Sequence, residues 1–328
     1  MAPEDAATGR REALIRLLRV GGLGAGAAGL AFWLKSRSRY PEEPPAAAYV
    51  KPDFTVPSDP DLPEMAIVQG DDPRRLLRRA LDELGGVRRF ISRGDVVVIK
   101  PNMAWDRTPE QAANTNPGVV AETARLCFEA GAKTVVVADV SINEPRRSFE
   151  RSGIAEAARR ESAQVLLPEE RKFRQVDLRG DVLRAWPVFG PFLAADKMIN
   201  IPIAKHHSLT GATLGMKNWY GILGGQRQRL HQRIHESLAD LAAFMRPTLT
   251  IIDAYRVLLR NGPGGGNLED VALKKTLIAG TDPVALDAYA AKAFWNLGLD
   301  DLLYLRLASQ RGLGTPQFEK LRTKTASL

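Results

Sequence analysis

The chain has 328 residues, 46 of them Lys or Arg, 38 Asp or Glu, and a single cysteine. Apolar residues at 45% and charged residues at 26% belong to a globular chain with a sizeable core, which excludes wholesale disorder, a collagen-like repeat and a multi-span membrane protein. One thiol, Cys127, excludes an internal disulfide and any all-cysteine zinc or iron–sulfur site ligated by this chain alone. The formal charge of +8 is unevenly spread: residues 1–40 carry seven basic and three acidic side chains, a net of +4, so the other 288 residues are only +4. With aromatics at 7%, that near-balance argues against a nucleic-acid partner.

Taken in chain order, the first segment reads as an address. Residues 10–19, RREALIRLLR, precede the uncharged stretch VGGLGAGAAGLAFWL (20–34) and then KSRSR. A basic region ahead of a short apolar stretch is the layout of an export signal. Arg10-Arg11 followed by Leu14 and Ile15 resembles a twin-arginine signal, although Gly9 and Ala13 depart from the usual pattern. The expectation is an export signal or uncleaved membrane anchor over 1–40. The protein would then be exported across, or tethered to, the cytoplasmic membrane. Residues 41–63, with seven prolines, read as a tether.

The next segment, 64–315, alternates β-branched runs with helical stretches, and 316–328 reads as a C-terminal tail. MAIVQG (65–70) predicts a strand. Asp72-Pro73 opens the amphipathic helix PRRLLRRALDELG, with Asp72 as cap. DVVVIKP (95–101) and KTVVVADV (133–140) are continuous apolar runs, the mark of strands buried on both faces. Between them Pro117 starts a helix that Gly131 stops. A helix over 148–162 and short strands near 163–167 and 173–178 follow. Then come a strand over 195–203, helices over 212–222 and 229–245, strands over 248–255 and 274–280, and helices over 282–297 and 300–312. The expected fold class is α/β, with a mainly parallel sheet flanked by helices and room for two lobes.

The chemistry concentrates in one region. The chain's four histidines, His206, His207, His231 and His235, fall within 30 residues. From Lys197 to His235 there is no Asp or Glu, while Lys197, Lys205, Lys217, Arg227, Arg229 and Arg233 supply six cations. Such a stretch suits an anion and stabilises negative charge developing in a reaction. His206 and His207 follow a predicted strand, where open α/β sheets bind ligands. His231 and His235 are spaced i, i+4, so one helix would present both on one face, half of a divalent-metal site. Gln232 stands where a zinc-protease motif would place its glutamate. A second patch gathers Lys100 and Asn102 at a strand end with Asn114, Thr115 and Asn116 ahead of the Pro117 helix. These could cradle a carboxylate or phosphate, or serve as ordinary caps, Asn116 above all. Asp139, Asp253 and Asp282 sit at predicted strand ends, and Cys127 reads as buried and inert.

The ordered set VVIKPN (97–102), ANTNPGVVAETARLCFEAGAKTVVVAD (113–139), HSLTGATLGMKNWYGIL (207–223), RLHQRIHESLADL (229–241), TIIDA (250–254), GPGGG (262–266) and TLIAGTDPVALDAYA (276–290) resembles the domain of unknown function 362 family. The positions matching its motifs are Lys100, Asn102, Asn114, Thr115, Asn116, His207, Thr210, Thr213, Lys217, Asn218, His231 and His235. Members are often exported by the twin-arginine route, and some carry appended ferredoxin-like cysteine motifs. This chain lacks those motifs, so electron transfer would need an iron–sulfur or redox partner protein.

Two functions compete. One is a redox or acid/base enzyme, metal-dependent or not, acting on a small anion, with His207, Lys217 and His231 as catalytic candidates. Lys100, Asn102, Asn114, Thr115, Asn116, Thr210, Thr213 and Asn218 would then bind the ligand, and His231 with His235 any divalent metal. The other is a non-catalytic anion-binding or accessory module of an envelope metalloenzyme system.

Overall fold

The computed structural model describes residues 54–328. Twelve strands run in chain order: β1 (Met65–Gln69), β2 (Val96–Pro101), β3 (Thr134–Ala138), β4 (Gln164–Leu166), β5 (Phe173–Asp177), β6 (Ala185–Phe189), β7 (Lys197–Ile201), β8 (Ile203–His207), β9 (Gly211–Thr213), β10 (Leu249–Leu258), β11 (Val271–Gly280) and β12 (Thr323–Ser327). The helices are α1 (Pro73–Glu83), α2 (Pro117–Ala130), α3 (Pro145–Arg151), α4 (Ile154–Arg160), α5 (Gly215–Asn218), α6 (Ile234–Phe244), α7 (Pro283–Trp295) and α8 (Leu303–Gln310).

Ten strands form one sheet, in the order β12-β1-β11-β10-β7-β2-β3-β4, with β8 alongside β10 and β9 alongside β8. Six of its nine pairings are parallel; β1–β11, β10–β11 and β8–β9 are antiparallel. The fold is therefore α/β with a largely parallel central sheet. β5 and β6 pair separately in a two-stranded sheet.

The apolar runs form strands because both sheet faces are covered. Val97 and Ile99 of β2 pack on one side with Leu76 and Leu77 of α1 and Val120 and Cys127 of α2. Val98 turns to the other side, into the layer of Leu238 and Leu241 from α6, Val284 from α7 and Tyr304 from α8. Burying one such side chain contributes roughly 1.5–3 kcal/mol, so the strands are fixed in place from both faces. Alternation along β2 then sends Lys100 to the same side as Val98. Local chemistry sets the helix starts. Asp72 accepts the N–H groups of Arg74 and Arg75, and Asn116 accepts that of Gly118 at 2.8 Å. Gly131 stops α2 at φ 101°, a left-handed conformation suited to glycine.

Several elements differ from the sequence expectation, each for a local reason. The helix over 148–162 is broken at Gly153 (φ 72°) into α3 and α4. The strand over 195–203 splits at Pro202, which has no N–H to donate, into β7 and β8. Residues 212–222 begin in β9 rather than a helix, and continue as the short α5 and a 3₁₀ turn over Trp219–Ile222. The helix over 229–245 breaks at Arg233 (φ −134°, ψ 55°): Arg227–Arg233 is a 3₁₀ segment and α6 starts at Ile234.

The membrane expectation needs correction. Among the described residues no helix is long and apolar enough to cross a membrane. The longest, α2, has 14 residues. At 1.5 Å per residue it spans roughly 21 Å, short of a hydrocarbon core of about 30 Å. The twin-arginine and apolar segment on which anchoring and export were read lies in residues 1–40, outside the described residues. The described residues give no support to a membrane partner, an anchor or an exported location.

Candidate functional site

The parallel strands β2, β3 and β7 end on one side of the sheet, and β8 continues there after Pro202. Their ends, with the β8–β9 hairpin, α5 and the 3₁₀ segment at 227–233, enclose a cavity of about 320 Å³. Lys100, Asn102, Asp139, Lys205, His207, Thr213, Lys217, Asn218, Arg227 and His231 line it, with Trp105, Ile142, Leu209 and Tyr220 as apolar wall. Three lysines, one arginine and two histidines thus face a single carboxylate, Asp139, in agreement with the carboxylate-free run from Lys197 to His235.

The floor is a continuous polar chain. Lys100 Nζ donates to Asp139 Oδ1 at 2.7 Å and to Asn218 Oδ1 at 3.2 Å. Asn218 Oδ1 also accepts from Asn102 Nδ2 at 3.1 Å, and Asn218 Nδ2 donates to Asn200 Oδ1 at 2.8 Å. Asn102 Oδ1 in turn accepts from Lys205 Nζ at 3.1 Å, and Lys205 donates again to the Ala113 carbonyl at 2.5 Å. Asp139 also takes the N–H groups of Met103 and Val140, at 2.6 and 3.0 Å. Each asparagine is oriented by both ends of its amide, so the floor is rigid before any ligand arrives. Gly221 closes over it: a Cβ there would collide with Asp139 Oδ1 and lie 2.6 Å from Lys100 Nζ. Arg227 is spent on main-chain carbonyls, donating to Val140 at 2.7 Å, Tyr220 at 3.2 Å and Ser141 at 2.5 Å.

Lys217 is the exception. It is 8% exposed. Its ammonium lies 3.7 Å from the Tyr220 ring centroid and has no hydrogen bond or ion pair among the described residues. Asp287 on α7 positions it, accepting the N–H groups of Gly215 and Met216 at 2.7 and 3.0 Å at the start of α5. Burial, helped by the neighbouring Arg227 and Lys100, pulls Lys217 down to about 7. Burial likewise brings Lys205 to about 7, with Asp139 opposing and Lys217 and Lys100 reinforcing. Lys100 is also lowered by burial, against the opposing Asp139 charge. His207 falls to about 3 through burial and the Lys217 and Lys205 charges, so it is neutral near pH 7. Its Nδ1 accepts the Leu209 N–H at 3.1 Å, which puts the ring proton on Nε2. Burial and Lys217 lower His231 as well, and its Nδ1 sits 3.0 Å from the Gln228 carbonyl.

The structure brings together Lys100, Asn102, His207, Thr213, Lys217, Asn218 and His231 from the sequence-predicted set. The others stand behind the wall. Asn114 clamps the 105–107 loop, taking the Trp105 N–H at 3.0 Å and donating to the Trp105 carbonyl at 2.8 Å. Thr115 Oγ1 donates to the Ile201 carbonyl at 2.7 Å and accepts the Asn102 N–H at 2.8 Å. Asn116 caps α2 while its own N–H donates to Asp253 at 2.7 Å. Thr210 bonds the Ala212 carbonyl within the hairpin turn.

His235 does not join His231. The break at Arg233 puts them in different surroundings: His231 lies 5.7 Å from the Tyr220 ring, whereas His235 stacks on Tyr304 at 6.4 Å. Only His231 of the two lines the cavity, and no group of three or more His, Cys, Asp or Glu among the described residues could hold a metal ion. Residues that sequence reasoning left without a role here are Lys205, Asp139, Arg227, Gly221, Tyr220, Trp105 and Asp287. Lys205 and Arg227 had a signal, as cations of the carboxylate-free run, and Asp139 had one as a strand-end acid. The rest became visible only through packing. Cys127 is buried and pushed up to about 12, consistent with an inert thiol.

A preformed cavity with convergent polar groups at the strand ends of an α/β sheet is where such folds place a ligand or an active site. The family model described as domain of unknown function (DUF362) matches residues 97–292, and the chain belongs to that family. It is 29% identical over 246 residues, 73% of this chain and 74% of the relative, to the thylakoid-associated protein sll1697 of Synechocystis sp.. Among solved structures it is similar to the lactate racemase apoprotein of Thermoanaerobacterium thermosaccharolyticum. That match has a TM-score of 0.41 and 10% identity, covering 75% of this chain and 60% of that one. A Thermotoga maritima protein matches with a TM-score of 0.37 and 14% identity, covering 73% and 58%. The chain thus spans about 60% of the length of these two structures.

Proposed function

We propose that this cavity is the active site of an enzyme that binds a small anion and moves a proton on it. The observation that carries the reading is the Lys217 ammonium, buried on the cavity wall without an acceptor. A buried cation without a partner is costly, and an anionic ligand supplies the missing partner. Lys205 is committed to Asn102 and Ala113, and Lys100 to Asp139, so those two shape the field while Lys217 meets the ligand. Neutral His207, with its proton on Nε2, adds a hydrogen-bond donor that carries no charge of its own. Lys217 and Lys205, both near 7, can each give or accept a proton at neutral pH, the property a general acid–base needs.

The test is calorimetric titration of the full chain with acetate, pyruvate and phosphate near pH 7. Deuterium exchange from solvent into the C–H bonds of bound pyruvate, followed by proton NMR, runs beside it. We expect binding of at least one anion, loss of that binding in Lys217→Met, and exchange in the wild type alone. Binding without exchange would leave a non-catalytic anion holder. If no anion binds, the reading fails.

A further inference from the structure

We propose that Lys217 Nζ is a nucleophile that captures the carbonyl carbon of a small 2-oxo acid as a Schiff base. The proposal rests on the anion-binding reading above and gives Lys217 a covalent role within it.

Four observations converge. First, of the three lysines on the cavity, Lys217 alone has a free amine among the described residues. Lys100 and Lys205 are held by Asp139, Asn218, Asn102 and the Ala113 carbonyl. Second, the uncharged amine is the reactive form, and desolvation beside other cations is the arrangement that keeps a lysine uncharged. Arg227 and Lys100 are those cations, and burial does most of the lowering. The Tyr220 face works the other way, but a cation–π contact of about 1–2 kcal/mol is no substitute for a carboxylate.

Third, the cavity holds uncommitted polar atoms for the rest of such a substrate. Thr213 Oγ1 and Tyr220 Oη are buried without a partner, and His207 Nε2 has none among the described residues. His207 Nε2 and the third N–H of Lys205 can take a carboxylate and the carbonyl oxygen. Fourth, about 320 Å³ lies at the small end of ligand pockets, and Trp105, Ile142 and Leu209 offer an apolar wall. That combination points to a 2-oxo acid with a short apolar or aromatic side chain.

The step balances without an outside reagent. The Nζ lone pair forms a C–N bond as the C=O π bond breaks, and the oxygen takes a proton. Nitrogen then releases a proton, and the hydroxyl leaves as water with a second proton as C=N forms. One ammonium and one ketone give one protonated imine and one water. Lys205, on the same cavity and near 7, is placed to carry the protons.

The experiment incubates the full chain with pyruvate or phenylpyruvate and sodium cyanoborohydride near neutral pH. Intact mass and peptide mapping then locate any reduced adduct, and calorimetry measures binding of the same acids in parallel. We expect one adduct per chain, mapped by peptide to Lys217 and absent from Lys217→Arg. Should Lys217→Arg melt early, Lys217→Met replaces it for the adduct comparison. Binding without an adduct, or an adduct equally present in both variants, overturns the covalent role and leaves the anion pocket standing. No binding of either acid overturns the covalent role, and the anion pocket falls with it only if acetate and phosphate also fail to bind.

Discussion

The loop after β2 and the hairpin after β8 have the same sequence profile, polar residues at a strand end leading into a helix, yet they do opposite work. In the first, Asn114, Thr115 and Asn116 turn their polar atoms onto main-chain groups of the loop at 105–107, of β7 and of α2. In the second, His207 and Lys217 keep polar atoms free on the cavity wall. A loop next to a buried parallel strand has many N–H and C=O groups to satisfy, and short amide and hydroxyl side chains are the cheapest way to do so. The hairpin satisfies its own backbone through β8–β9 pairing, Lys205 with Thr213 and His207 with Gly211, which releases its side chains for a ligand. Scaffold and site can therefore be told apart by where the backbone hydrogen bonds go.

The largest effect should come from the point where the two regions meet. Gly221→Ala drives a methyl into the Lys100–Asp139 pair. Splitting that buried pair should cost about 3–5 kcal/mol, read as loss of the cooperative melt by circular dichroism. On the scaffold side, Thr115→Val strips partners from the Asn102 N–H and the Ile201 carbonyl. Chemical denaturation should show a loss of about 2–4 kcal/mol, with anion affinity at low denaturant little changed.

On the site side the sign reverses. Lys217→Met removes a buried charge that has no partner, so stability should rise by about 1 kcal/mol while anion affinity drops at least about tenfold. Equal losses of stability in Thr115→Val and Lys217→Met would erase the distinction between the regions.

Acidity gives a smaller and graded signal. Lys205 and Lys217 are lowered from 10.5 to about 7 in the folded chain. Between about pH 7 and 10.5 the unfolded chain then holds protons that the folded one lacks, so ligand-free stability should climb with pH across that window. Anion affinity should move the other way, falling above about pH 7 by up to about tenfold per unit for each lysine, with proton uptake on binding near neutrality. Calorimetry in buffers of different ionisation enthalpy measures that uptake directly. The smallest effect belongs to His235→Phe, which should leave ligand binding unchanged, since His235 faces Tyr304 rather than the cavity.

Much of this was legible in the sequence where one residue's local chemistry decides the outcome. DVVVIKP became β2, and the span from Asn116-Pro117 to Gly131 became α2 with its cap and stop. The carboxylate-free run pointed to the cavity, because a cationic pocket cannot tolerate many acids, and two of the four clustered histidines, His207 and His231, line it. What escaped depended on partners far along the chain. Nothing around Gly221 announces that Lys100, more than a hundred residues earlier, needs its missing side chain. The i, i+4 spacing of His231 and His235 promised a shared helix face, and the backbone turn at Arg233 withdrew it. Asn114 and Thr115 looked like ligand groups because their main-chain acceptors, Trp105 and Ile201, are brought to them only by the fold.

The strand β12 carries a consequence of a different kind. It lies along β1 in parallel register, Met65 beside Thr323 and Gln69 beside Ser327. β1 is buried along Met65–Val68, whereas Thr323–Thr325 of β12 are exposed, with Lys324 among them. An apolar strand left at the rim of a sheet offers its open row of N–H and C=O groups to any passing chain, and a short charged strand is a common guard against that. β12 thus acts as a shield for this edge of the sheet. Clipping it would turn β1 into an adhesive margin and favour stacking of one molecule on the next.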